Sequence, residues 1–412
     1  SSFFDPDSYI STSAILLQGD SYLTSEMRKV IERSGSFLKD GQLPHHLNVG
    51  AFNSTPTYIA LSGATQTGPN IFWTLSAFRY AIFSGDTAWL KSYLPVLRES
   101  LGFLLGFLDH DMSMLSCPGS LMIDVFRRTN YTSDTNAVMP ILLREFAEAE
   151  EFVGNTTGAA GLRSLADAIA ASVNAHLWDA ASNDHFVTQL NPDGTTRDFV
   201  DYDSNLIAVA SGVADTQRAK AILDRIDGGR CTQVGHSRAT FVSELYYGPN
   251  DCFKSNVGDS WCSMGRIGLY DARARARPDI RDNATFHTNL LAPLMSDLLA
   301  DTWLYERYHC DGTPETNRSY GYFEYGSVVV MMLAEIKYGI HPGLNTITIE
   351  PLGSTQFAFH VGNMDVDYSP STVQVLLPGD GSSRAVTVRY LAPNTDFAVS
   401  TAGPSCAGLL GV

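Results

Sequence analysis

The chain has 412 residues, with 44 acidic against 28 basic side chains, a formal charge of −16 and a pI near 4.9. That balance excludes a nucleic-acid partner, which requires a positive surface to replace phosphate counterions. Hydrophobic residues make up 44% and charged residues 17%, the profile of a globular chain and not of a disordered or collagenous one.

In chain order, helical periodicity runs over 7–17, 22–38, 70–85, 86–109, 136–154, 160–177, 202–213, 215–226, 259–276, 286–307 and 325–338. Several of these helices arrive as pairs joined by short stop-and-cap turns: Asp20-Ser21, Ser84-Gly85-Asp86, Gly154 to Gly158, and Ala214-Asp215. Long loops recur only after alternate helices, which predicts six helical hairpins set in a ring. From Asn345 the period changes to two, over 346–349, 356–359, 373–377, 385–390 and 397–399, with Gly and Pro in the turns. The expected fold is therefore mainly α: an (α/α)6 toroid of helical hairpins over 1–343, then a small C-terminal β domain over 344–412. No apolar run reaches the roughly 18 residues of a membrane span; the run from Val328 to Ala334 stops at Glu335 and Lys337.

Three marks point to a secreted, extracellular protein. N-x-Ser/Thr sequons stand at Asn53, Asn130, Asn155, Asn283 and Asn317. Six cysteines, Cys117, Cys231, Cys252, Cys262, Cys310 and Cys406, lack C-x-x-C spacing and so favour disulfides over zinc. Lysine occurs only at 29, 39, 91, 220, 254 and 337. There is no P-loop, no G-x-G-x-x-G after a strand and no H-E-x-x-H, so neither a cofactor nor a metal is expected.

A ring of hairpins presents a funnel, and the long loops hold mainly Asp, Glu, Tyr, Trp and Asn. Carboxylates and amides bond sugar hydroxyls, aromatic faces stack on sugar rings, and glycoside hydrolysis requires two carboxyl groups. Glu324, among aromatics at the start of a strongly apolar helix, is the candidate base; it also reads as an ordinary first-turn acid. Its proton affinity is a contest between desolvation and the helix N-terminus. Asp124, in the apolar run from Ser120, is the candidate acid, the alternative being a structural partner of Arg127 or Arg128. Asp7, Asp203, Asn205, Asp259, Trp261, Arg266, Trp303 and Tyr322 are candidate sugar contacts, although Asp7 and Asp203 also suit helix caps. Trp73, Trp89 and Trp178 read as core, and His45-His46 as a solvated loop pair. Gly235-His-Ser237-Arg-Ala239 nearly matches a nucleophile elbow, but helices follow helices before it, where an esterase needs alternating strands.

With those residues in hand, the chain resembles the six-hairpin glycosidases, the (α/α)6 superfamily of α-L-rhamnosidases, trehalases and processing α-glucosidases. The resemblance rests on Asp7-Ser-Tyr-Ile-Ser, Lys39-Asp-Gly-Gln-Leu-Pro44, Tyr80 to Asp86, Ala175-His-Leu-Trp178-Asp179, and the exit from Tyr338 to Pro351. It implies a base at Glu324, within Phe323-Glu324-Tyr325-Gly326. It also implies an acid near Asp124, whose surroundings depart from the family pattern, and an inverting mechanism with carboxyl groups about 6.5–9.5 Å apart around a water. Such enzymes usually carry an N-terminal β domain, whereas this chain starts at the first helix. The expected function is a secreted inverting glycoside hydrolase releasing a terminal sugar, with a carbohydrate as its partner. A polysaccharide lyase or sugar epimerase on the same scaffold, with Tyr202, Tyr322 or His236 as base, and a non-catalytic glycan-binding relative are the alternatives.

Overall fold

The computed structural model describes residues 2–49, 54–228, 243–244, 247, 263–302, 304–308, 322–344, 346–352, 356–362, 364–369, 372–376, 387–390, 398–403 and 406–411. Its helices are α1 (Asp5–Leu17), α2 (Ser21–Gly35), α3 (Gly68–Ser84), α4 (Thr87–Leu105), α5 (Ser133–Phe152), α6 (Thr156–His176), α7 (Tyr202–Ala210), α8 (Thr216–Asp227) and α9 (Gly265–Ala276). Then α10 (Asn283–Thr285) passes through a π-turn (Phe286–Leu291) into α11 (Ala292–Asp301), and α12 (Phe323–Met331) ends in a second π-turn (Met332–Lys337). Every helix expected from periodicity has a counterpart. The protein is mainly α, with small sheets among the loops before residue 310 and further strands from Ile340 on.

Burial sorts these helices into two sets. In α3 every residue but Arg79 and Ser84 is buried, and in α7 Tyr202 to Val209 are all buried. In α8 only Ala219, Ile222, Leu223 and Ile226 are buried, and in α6 only Ala159, Ala166, Ile169 and Val173. Such a narrow stripe marks a helix covered on one side, and all-round burial marks one enclosed by others. The enclosed set packs in a cycle: α1 on α3, α3 on α5, α5 on α7, α7 on α9, α9 on α12, and α12 back on α1. The helices α2, α4, α6 and α8 pack against members of that cycle.

First-turn side chains of adjacent members meet, which puts the N-termini of the cycle at one end. Thr67, the N-cap of α3, bonds Thr135 of α5; Arg128 ties Asp134 of α5 to Asp203 of α7; Arg266 of α9 reaches Glu324 of α12 and Asp7 of α1. The long connections 36–67, 106–132, 177–201, 228–264 and 302–322 all lead into this end.

At the opposite end the C-terminal strands dock. Phe357–Val361, Met364–Ser369 and Thr372–Leu376 form an antiparallel meander, and Ile340–Pro342 pairs with Thr346–Ile349, which runs parallel to Thr387–Tyr390. The N–H of Gly362, in the meander's first turn, donates to the Leu17 carbonyl at 2.9 Å. Gly362 and Gly19 have φ of +60° and +71°, and a Cβ on Gly19 would stand 2.0 Å from the Gly362 carbonyl oxygen. Gly19→Ala is therefore expected to cost more than about 1 kcal/mol in strain alone. A fall in the urea midpoint checks it, and an unchanged midpoint would show that the tail does not press on α1.

Several boundaries differ from expectation for local reasons. Helix α4 stops at Leu105, not 109, because Leu108–Asp109 pairs with Met114–Leu115. Helix α9 starts at Gly265, not 259, because Ser263–Met264 pairs with Arg307–Tyr308. The helix expected to reach 307 ends at Asp301, where Thr302 takes a φ of +63°. Cys117 is a free, buried thiol, contrary to the expectation of general disulfide pairing, and burial pushes its pKa up to about 12. Cys231, Cys252, Cys262 and Cys310 lie outside the described residues.

Candidate active site

Helix α12 opens inside the cycle, so its first-turn acid, Glu324, is carried into the interior at 3% exposure. Helix α9 opens beside it with Arg266. The guanidinium donates to both Glu324 oxygens, from Nε at 3.0 Å and Nη2 at 2.6 Å. The same Nη2 donates to Asp7 Oδ1 of α1 at 2.9 Å, and the Tyr322 hydroxyl donates to that oxygen too. Asp7 is the more open of the two acids, its side chain 21% exposed. One guanidinium thus serves two carboxyl groups that stand within hydrogen-bonding reach of each other.

Burial drives the Glu324 carboxyl up to about 8; Arg266 opposes this and the Asp7 charge adds to it. For Asp7 burial acts in the same direction, but Arg266 and the hydrogen bonds from Glu324 and Tyr322 outweigh it and hold the group below the ordinary carboxylate value. The Tyr322 phenol is held far above its usual range by burial and by Asp7. Four residues named from three motifs, Asp7, Arg266, Tyr322 and Glu324, are therefore in one cluster. Next to it, Tyr9, Ile10, Phe72, Met122, Leu269 and Tyr270 line a small pocket together with Arg266, with room for about one water.

Asp124 follows Met122 by two positions, so its loop reaches this pocket. Its side chain is 23% exposed, and His45 Nε2 lies 3.5 Å from Oδ2. Arg128, one of the two partners that the structural alternative named, goes to other acids. His45 is 6% exposed, which corrects its reading as a solvated loop residue. Nothing in the histidine pair itself announced this, because its acid lies far along the chain.

Asp203 and Asn205 are not open to a sugar, contrary to expectation. Asp203 is fully buried and takes two hydrogen bonds from Arg128, at 2.7 and 3.0 Å. The Asn205 side chain, 1% exposed, is committed to the backbone of Phe186 and Asp201. Both belong to a buried cluster in which Arg128 also meets Asp134, Asp201 and the Tyr247 hydroxyl, and the Tyr247 ring is stacked between Phe126 and Phe199. Asp259, Trp261, Trp303 and the motif at 235–239 lie outside the described residues.

Ser182, His185 and Asp198 have the outline of a nucleophile, base and acid, with Ser182 Oγ 3.1 Å from His185 Nδ1 and His185 Nε2 2.6 Å from Asp198. Yet Nδ1 also meets Asp184 at 2.7 Å. Burial opposes a charge on the ring and Arg225 repels it, but the bonds to Asp198 and Asp184 prevail and raise the pKa. With Nδ1 engaged by Asp184 and Nε2 by Asp198, the ring is committed to these two carboxylates and not to Ser182. Because the folded value lies above the unfolded one, this stabilisation is complete below about pH 6.5 and fades as pH rises through the folded value. His185→Gln should cost about 1–3 kcal/mol in the acid range and progressively less in alkali. Denaturation at a series of pH values checks this, and a pH-independent deficit would contradict it.

No protein-family model and no curated protein matches the sequence. Among solved structures, the chain is similar to a GH78 family rhamnosidase of Bacillus sp. GL1, at 14% identity and a TM-score of 0.63, over 98% of this chain and 40% of that one. It is also similar to a rhamnosidase from Klebsiella oxytoca with rhamnose bound, at 13% identity and a TM-score of 0.58, over 80% of this chain and 57% of that one. The chain thus spans 40% and 57% of the lengths of these two enzymes, and what it shares with them is their fold.

Proposed function

We propose that this chain is the (α/α)6 toroid of a secreted, inverting glycoside hydrolase that releases a terminal sugar, of the α-L-rhamnosidase type. The observation that carries the reading is the Asp7–Arg266–Glu324 cluster, placed where the helix N-termini of a closed cycle converge, in a fold shared with two rhamnosidases. The closed cycle α1–α3–α5–α7–α9–α12 with a second helix beside most of its members supports the toroid. The division from a C-terminal β domain is drawn before Ile340, since strand Ile340–Pro342 pairs forward with Thr346–Ile349. Secretion rests on the acidic, lysine-poor composition and the five sequons.

In the reaction, Asp124 gives its proton to the departing oxygen as the bond to the anomeric carbon breaks. Water attacks from the opposite face, and its proton passes to the carboxyl groups of α1 and α12. The tyrosines favour hydrolysis over a lyase: burial, with Asp7 beside Tyr322 and Glu244 beside Tyr202, keeps both phenols protonated far beyond the working range of a base.

A panel of aryl and alkyl glycosides, α-L-rhamnosides among them, followed by proton NMR tests the reading. The first-formed sugar should have the opposite anomeric configuration to the substrate. Retention would remove the inverting mechanism, an unsaturated product would indicate a lyase, and binding without turnover would make the chain a glycan-binding protein.

A further inference from the structure

The geometry points to Asp7 and Glu324 acting as one base that shares a single proton, with Asp7 bearing the charge and Arg266 holding both groups in register. The inference deepens the hydrolase reading and rests on it for the reaction, though not for the couple itself.

Three observations carry it. First, both carboxyl groups accept from one nitrogen, Nη2 of Arg266, at 2.9 and 2.6 Å. A single guanidinium charge neutralises one carboxylate, so a second buried negative charge beside it is uncompensated and takes up a proton instead. Second, the groups are within hydrogen-bonding reach of one another, and two carboxyl groups bond only when one of them carries the proton. Third, the surroundings distinguish the two. Each accepts two hydrogen bonds, Glu324 from Nε and Nη2 of Arg266 and Asp7 from Nη2 and the Tyr322 hydroxyl, but Asp7 has an open edge at 21% side-chain exposure, where water can solvate a charge, whereas Glu324 is closed in at 3%. The charge therefore settles on Asp7 and the proton on Glu324.

Among the described residues, the groups facing this pair are Arg266 from α9 and Tyr322 from the residue before α12. When the nucleophilic water attacks, its proton goes to the Asp7 carboxylate and the couple becomes neutral; release of one proton to solvent restores it. Arg266 acts through the two acids as a positioning residue and not as the sugar contact expected from its motif.

Two measurements test this on the full chain. The first is a carbon-13 carboxyl titration by NMR with labelled Asp and Glu. In the wild type one Glu carboxyl should titrate near 8, and in Asp7→Asn that transition should move down by at least about one pH unit, since the neighbouring charge is gone. The second is the pH profile of kcat/KM on an aryl glycoside. In Asp7→Asn, Glu324 alone must supply the base, so the acid limb should move up by at least about one pH unit while kcat falls about 10²–10⁴-fold. Tyr322→Phe, a milder change, should move the acid limb the same way by less. A merely structural role would lower activity without moving either limb.

The inference is overturned if all Glu carboxyls of the wild type titrate in the ordinary range, or if Asp7→Asn raises KM alone. If the wild type turns over no glycoside, the hydrolase reading fails, and the carboxyl titration still decides the couple.

Discussion

Replacing Asp124 with Asn is expected to slow alkyl glycosides by about 10²–10⁴-fold, the usual worth of a positioned general acid, while aryl glycosides with acidic leaving groups fall by about tenfold or less. An alkoxide cannot depart from an anomeric carbon without a proton, whereas a nitrophenolate can. The loss from removing a proton donor therefore scales with the basicity of the leaving oxygen. Asp7→Asn should behave otherwise, slowing both substrates alike, because the base acts on the water whatever departs. The substitution at 124 is also mild for the fold: the backbone carbonyl of Asp124 accepts from the Ser62 N–H at 2.9 Å, and Asn keeps that bond. The side chain loses its charge beside His45 and His46. Steady-state kinetics on a series of leaving groups decides the matter, and an equal loss across the series would remove Asp124 from the role of acid.

Much of this architecture was legible because burial imposes different patterns on the two kinds of helix. The stripe Ala219–Ile222–Leu223–Ile226 on α8 and the unbroken apolar character of Val328 to Ala334 are both visible in the sequence, and each states how many sides its helix covers. The alternation of short and long connections was equally visible. What no local pattern contains is which first turns meet. Arg266 and Glu324 are 58 positions apart, and Tyr322 and Asp7 are 315 apart, so each motif could be named but not the cluster they make.

The misreadings share one cause. Asp203, Asn205 and His45 have side chains that suit sugars or solvent equally well, and only long-range partners decide between these uses. The partner of Asp203 stands 75 positions earlier. The pair Arg127-Arg128 was a usable signal, since a guanidinium in an apolar run requires buried acids somewhere, and the acid-rich start of α7 was the available source.

Arg128→Met is expected to be the most damaging single change to stability, at about 3–5 kcal/mol, the typical cost of removing one member of a buried ion pair. The guanidinium is wholly buried and donates at 3.0 Å to Asp134, 2.7 and 3.0 Å to Asp203 and 2.9 Å to the Tyr247 hydroxyl, with Asp201 at 3.2 Å. Even with the cation present, burial and the nearby Asp203 charge prevail over Arg128 and push the Asp201 carboxyl up to about 7. Without it, the Asp201 carboxyl rises further still, so the variant folds only by taking up a proton that its unfolded chain does not hold. Its deficit against wild type must then grow as pH rises above the unfolded carboxylate value near 3.9 and shrink toward strong acid. Paired urea titrations at about pH 4 and about pH 7 measure the difference. The second substitution Asp203→Leu should return part of the loss at pH 7, because it deletes one of the stranded charges. A deficit of the same size at both pH values would mean that Arg128 contributes packing and hydrogen bonds and not the neutralising charge, and that the acids at the starts of α5 and α7 find their compensation elsewhere.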